Sequence, residues 1–147
     1  MATVRQLLQE KGDEVWSVTP DEPILNVLKL MAEKDIGVVV VLSQNQVVGI
    51  FSERDFARAT ARQEKISLGT PVSVLMTREI YYVDPGKSVD ECLALMTDRH
   101  IRHLPVIQKE NLVGLVSIGD LVKHELAEKD TTIHSLENYI LGHDYNR

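Results

Sequence analysis

A stretch of about forty residues recurs, without a gap, 65 positions further along this 147-residue chain. Val18 and Pro20 return as Val83 and Pro85. The apolar set Ile24, Val27, Leu28 and Met31 returns as Val89, Cys92, Leu93 and Met96. Ile36, Val41, Gly49, Ser52 and Asp55 return as Ile101, Val106, Gly114, Ser117 and Asp120. Whatever one copy forms, the other must form too. A copy of about sixty residues buries too little apolar surface to be comfortable alone. The expectation is one globule of two similar halves, packed sheet against sheet about a pseudo-twofold axis.

Each copy reads β-α-β-β-α, an α+β fold. The first apolar set recurs at i, i+3, i+4 and i+7, which is one buried helix face. Gly37 is expected to end that helix. Val38 to Leu42 is a continuous β-branched run, as in a strand covered on both faces. Ser43 to Gln46 is a turn in which Asn45 can take positive φ. Val47 to Phe51 is the next strand, and Ser52 opens the next helix. Ahead of the first copy, Val4, Leu7 and Leu8 share a face of a short helix that Gly12 ends. Gln63 to Pro71 is a polar connector, and Val72 to Met76 a short helical turn. Ile133, Leu136, Tyr139 and Ile140 mark a closing helix. The expected division is 1–70 for the first repeat with its leading helix, 71–130 for the second, and 131–147 for the tail.

Both copies end in Ser-x-x-Asp: Ser52-Glu53-Arg54-Asp55 and Ser117-Ile118-Gly119-Asp120. Serine falls at the helix N-cap and aspartate at the third helical position. Two readings are open. The pair can be a capping box, with the carboxylate folded back on the N-cap N–H. It can also present a carboxylate and free N–H groups to a hydroxylated, phosphorylated ligand.

Composition narrows the alternatives. A formal charge of −6 argues against a general nucleic-acid binder, and the scarcity of aromatics argues against a single-strand stacking platform. The longest apolar run, Val38 to Leu42, is far short of the ~20 residues a membrane span needs. The first ten residues lack the pattern of a secretory signal. With one cysteine there is no internal disulfide, and a reducing, cytoplasmic setting is expected. Cys92 lies on an apolar helix stripe and reads as core. His100-x-x-His103 has no third ligand nearby, so no metal site is expected. His124, His134 and His143 read as solvated, and Arg58, Arg62 and Lys65 as a solvated basic face. No Rossmann or Walker fingerprint and no nucleophile elbow occurs, and no catalytic constellation stands out.

The β-α-β-β-α copy, the strand ending Gly-apolar-apolar-Ser-x-x-Asp, and the run Ile101-Arg102-His103-Leu104-Pro105-Val106 resemble tandem cystathionine-β-synthase (CBS) domains, a pair of which is called a Bateman module. The resemblance spans roughly Val4 to Glu128. Glu53-Arg54-Asp55 and the tail Leu136-Glu137-Asn138-Tyr139-Ile140 look most like stand-alone pairs, including small plant organellar regulators. The resemblance implies a non-catalytic regulatory module whose inter-repeat cleft binds an adenosine ligand such as AMP, ADP, ATP, NAD(H) or S-adenosylmethionine. It also implies a homodimer and a protein partner that reads the ligand state.

Carried over by that resemblance, Asp120 and Asp55 would accept from the ribose hydroxyls. Ser117 and Ser52 would face phosphate or ribose. Val38 in one copy, and Arg102, His103, Leu104 and Pro105 in the other, would line the base. Arg54, Arg102 and His103 would be candidates for phosphate. The Asp120 site is favoured, because Gly119 lets a ligand approach the backbone and Ile118 can pack on a base, whereas Glu53 beside Asp55 would repel phosphate. A purely structural or interaction module with vestigial pockets is the alternative.

Overall fold

The computed structural model describes residues 2–62 and 66–128. The tail helix expected near 131–142, Lys65, His134 and His143 lie outside the described residues. In chain order the elements are α1 (Val4–Lys11), β1 (Ser17–Val18), α2 (Ile24–Lys34), β2 (Val38–Ser43), β3 (Gln46–Ser52) and α3 (Glu53–Arg62). The second half follows as α4 (Val72–Leu75), α5 (Val89–Arg99), β4 (His103–Gln108), β5 (Asn111–Ser117) and α6 (Ile118–Glu128). The fold is α+β.

The repeat holds at the level of individual hydrogen-bonded pairs. β1 runs parallel to β2, with Val18 opposite Val41, and β2 is antiparallel to β3. In the second half a parallel bridge sets Val83 opposite Val106, and β4 is antiparallel to β5. Both hairpins carry an irregularity at the same place, Val41/Leu42 and Val106/Ile107. Both turn on two residues of positive φ, Gln44-Asn45 and Lys109-Glu110. That conformation matches the right-handed twist of the flanking strands. α2 ends at Lys34 with Asp35 in the left-handed region, two residues before Gly37. His100 closes α5 in the same way.

The leading helices follow a different register. Val4 N–H donates to Lys87 C=O (2.8 Å) and Arg5 N–H to Pro85 C=O (2.9 Å). Val72 N–H donates to Glu22 C=O (2.8 Å) and Ser73 N–H to Pro20 C=O (3.0 Å). The acceptors are 65 apart, but the donors are 68 apart. α1 therefore sits on the second repeat, and α4 sits on the first. Ala2, Val4 and Leu7 share a buried core with Val89, Cys92, Met96, Leu104, Val116 and Leu121. Val72 and Met76 share the other core with Ile24, Val27, Met31, Val39 and Phe51. Burying side chains of this size contributes roughly 1.5–3 kcal/mol each.

One glycine in each repeat admits the exchanged helix. A Cβ on Gly114 would lie 2.7 Å from the Leu8 methyls, and one on Gly49 would lie 2.5 Å from Met76 Sδ. The exchanged helices thus lie directly on β5 and β3. These two strands also contact each other, joining the repeats at their centre.

Candidate functional site

Asp120 is held at the start of α6 by a reciprocal capping box. Its Oδ2 accepts from Ser117 N–H (2.9 Å), and Ser117 Oγ accepts from Asp120 N–H (3.1 Å). α6 begins here because Ser117 leaves the β5 ladder with its side chain free to satisfy an otherwise orphaned helix N–H. A third group enters from 109 residues away. Lys11 Nζ, at the end of α1, donates to Asp120 Oδ2 (2.7 Å) and to Leu115 C=O (2.8 Å). Asp120 Oδ1 has no hydrogen-bond partner among the described residues. The Asp120 side chain remains 26% exposed.

Burial is the largest influence on the Asp120 carboxyl and raises its pKa. The Lys11 hydrogen bond, the Ser117 N–H and the Lys11 charge together outweigh it, so the group titrates below its ordinary 3.8. His103 stands opposite Ser117 across the β4–β5 ladder. Its pKa is lowered, chiefly by burial; Asp120 works in the opposite direction, and Lys11 and Arg102 add to the lowering. The Arg102 C=O receives Ile118 N–H (2.8 Å), which seats the Arg102-His103 step at the same helix start.

The remaining expected site residues fall into two groups. Ile118 and Gly119 are exposed on the first turn of α6, as a ligand contact requires. A Cβ on Gly119 would meet nothing closer than Ser117 Oγ at 3.6 Å. Leu104 is buried within the second core, so its side chain faces away from any cleft; Pro105 is also buried but alternates to the opposite face of β4. Val38 is likewise buried and pairs with Ser52.

The equivalent place in the first repeat is more fully engaged. Asp55 Oδ2 accepts from Ser52 N–H (2.8 Å) and Ser52 Oγ (3.0 Å), while Oδ1 accepts from the Thr77 hydroxyl (2.9 Å). Both carboxylate oxygens are thus engaged. Thr77 is fixed in turn by backbone bonds with Ile50 in both directions. Arg54 is exposed, and Glu53 Oε1 lies 3.4 Å from where a Gly37 Cβ would stand.

Between the repeats there is a cavity of about 500 Å³. Asp13, Val15, Ser17, Leu42 and Asn45 line it from the first half of the chain, and Asn111, Leu112 and Val113 from the second. Asp13 is two residues beyond Lys11, and Val113 two residues before Leu115, whose carbonyl Lys11 holds. A strand rises about 3.3 Å per residue, so Ser117, at the other end of β5, is about 13–20 Å from Asn111, Leu112 and Val113, and none of the residues at the Asp120 helix start lines the cavity. Its volume suits a small ligand.

The contact of Lys11 with Asp120 was not legible in the sequence. Lysine in the last turn of a helix ordinarily answers the helix dipole, and no local pattern announces a contact 109 residues distant. His124 departs from its expected solvation. Its side chain is only 8% exposed, with Nδ1 3.3 Å from Glu10 and Nε2 3.3 Å from Glu128. Nε2 is not aligned for a hydrogen bond. The Glu10 contact is a second tie between α1 and α6. Cys92 is fully buried, and burial first of all pushes its thiol up to about 11. No group of three metal-ligating side chains occurs among the described residues.

The model of the CBS domain matches residues 4–62 and 72–127. The chain belongs to the CBS-domain family. A CBS domain-containing protein of Arabidopsis thaliana, the mitochondrial CBSX3, is 34% identical over 95% of this chain and 72% of its own length. The structure of a CBS-domain protein from Burkholderia ambifaria MC40-6 superposes with a TM-score of 0.83 at 44% identity, covering 90% of this chain and 99% of that one. The CBS domain pair of MJ0100, solved in complex with 5′-methylthioadenosine and S-adenosyl-L-methionine, shares the fold. It does so at a TM-score of 0.76 and 20% identity, over 87% of this chain and 98% of that one. Among the described residues the two CBS repeats thus differ at the helix start: Asp120 Oδ1 has no partner, whereas Asp55 Oδ1 accepts from Thr77.

Proposed function

We propose that this protein is a regulatory CBS pair that binds one adenosine ligand in the cleft between its repeats, with the ribose on Asp120. The observation that carries this is a carboxylate at a helix start of a CBS pair with one oxygen that has no partner among the described residues. A vicinal diol presents two O–H donors, and an ionised carboxylate offers the acceptors. That the MJ0100 pair takes 5′-methylthioadenosine and S-adenosyl-L-methionine supports the capacity of this fold for the same class.

The cleft is built from both repeats, so a ligand there biases how they pack, and a homodimer or a protein partner reads that bias. No catalytic step is assigned to the module. For the first repeat the structural reading is favoured, because Ser52 and Thr77 donate to both oxygens of Asp55 and leave less acceptor capacity for a diol.

Calorimetric titration with AMP, ATP, NADH and S-adenosylmethionine tests this. At least one is expected to bind, with one site per chain. Asp120→Asn keeps an oxygen at the helix start and is expected to weaken binding by roughly 1–3 kcal/mol. Flat titrations for all four compounds would leave only the structural reading.

A further inference from the structure

α3 carries three arginines on one face. Arg54, Arg58 and Arg62 stand at i, i+4 and i+8, one above the other along about 12 Å of helix. All three are exposed. None forms an ion pair with a described residue. Asp55, three residues before Arg58, is turned instead to Ser52 and Thr77, and Glu53 stands beside Gly37. Ala57 and Ala61 are exposed next to the arginines, so no bulky apolar side chain interrupts the face.

The fold does not account for this stripe. At a shift of 65 the three positions become Gly119, Lys123 and Ala127 on α6, and the same β-β-α unit forms there without it. Arg62, in the last turn, answers the negative end of α3, but Arg54 lies in the first turn, where a cation is unfavourable. Like charges four residues apart also repel each other. The stripe is a local cost that no contact among the described residues offsets.

The chemistry of the stripe selects its partner. Each guanidinium is a planar fork that matches a carboxylate with two parallel N–H donors. The arginines follow one another at about 6 Å, close to the repeat of carboxylates four apart on a helix or alternate along an extended segment. A longer polyanion, nucleic acid or an anionic lipid surface, would run past the stripe onto a chain whose formal charge is −6 and be repelled. Phe56 packs against the core of the first repeat, so α3 offers no aromatic platform for bases.

We propose that the arginine face of α3 is a docking surface for a short acidic segment of a partner protein. It gives a place to the protein partner inferred above, but it does not depend on the adenosine ligand, and its test contains none.

The full chain is titrated at low salt with labelled octaglutamate and, in a parallel arm, with an oligothymidylate of similar charge. Octaglutamate is expected to bind the wild type, and added salt to weaken it. Arg58→Glu/Arg62→Glu is expected to weaken it about tenfold or more, while Lys123→Glu, at the equivalent place on α6, leaves it within about twofold. Should the glutamate pair lower the melting temperature, Arg58→Gln/Arg62→Gln, which only neutralises, is read in its place. Octaglutamate that does not bind the wild type, or that binds the double variant equally well, would overturn the proposal. Tighter binding of the oligothymidylate would assign the stripe to nucleic acid instead. A change in gel-filtration volume between the wild type and the double variant would assign it to a contact between copies of this chain.

Discussion

Thr77 donates its hydroxyl to Asp55 Oδ1 at 2.9 Å, and by this bond the first repeat engages the oxygen whose counterpart on Asp120 has no partner among the described residues. Two copies of one Ser-x-x-Asp thereby differ in their bonding. Thr77→Val removes the hydroxyl without changing the shape. It is expected to cost about 1–3 kcal/mol in denaturant unfolding, because a bond to a charged acceptor is lost. The calorimetric stoichiometry for an adenosine ligand is expected to stay at one per chain in the wild type. Two equal sites in the unmodified protein would contradict that difference.

The exchange of leading helices predicts where a core mutation is felt. Leu7→Ala deletes a side chain buried against α5, β4, β5 and α6, for an expected loss of about 2–5 kcal/mol. Although Leu7 precedes the first repeat in sequence, amide exchange is expected to rise mainly over 103–128, not over 38–52. Equal loosening of both halves would argue against the packing described.

Gly49→Ala sets a methyl against Met76 Sδ at 2.5 Å and the Thr77 carbonyl oxygen at 3.0 Å. The sulfur can yield, but the main chain bonded to Ile50 cannot. A loss of about 1–3 kcal/mol is expected in equilibrium unfolding. A neutral substitution would show that α4 stands off β3.

The Asp120 carboxyl titrates below 3.8 in the folded chain. The unfolded chain therefore binds more protons through that range, so the Asp120 contribution is present above the unfolded value and fades as pH falls through the folded one. Between about pH 5 and pH 3 the wild type is expected to lose stability faster than Asp120→Asn. Parallel curves for the two proteins would show that the Lys11–Asp120 pair carries none of the acid sensitivity. The group is only partly buried, so the difference is expected to be small and to shrink with added salt.

Much of this was visible in the residues. The apolar phase of the two copies, their turns and their serine caps follow from local spacing, and each appears where that spacing puts it. The capping-box reading of Ser-x-x-Asp proved to be the geometry of both copies, without closing Asp120 Oδ1. Less accessible was the slip from 65 to 68. Val4, Leu7 and Leu8 match Val72, Leu75 and Met76 at identical spacing, so the signal existed. The body of the repeat, however, fixes a register that hides it. Charge contacts between helices distant in sequence, Lys11 to Asp120 and Glu10 to His124, leave no periodic trace, because they depend on which helix crosses which strand.

The crossed helices also bear on how such a chain could arise or be taken apart. The stretch that is duplicated and the stretch that packs as a body are different lengths of sequence. A fragment cut at the connector would carry a lid made for its sibling and expose the surface its own lid should have covered. Two such fragments would find stability by clasping each other, so either half, expressed by itself, is expected to seek a mate.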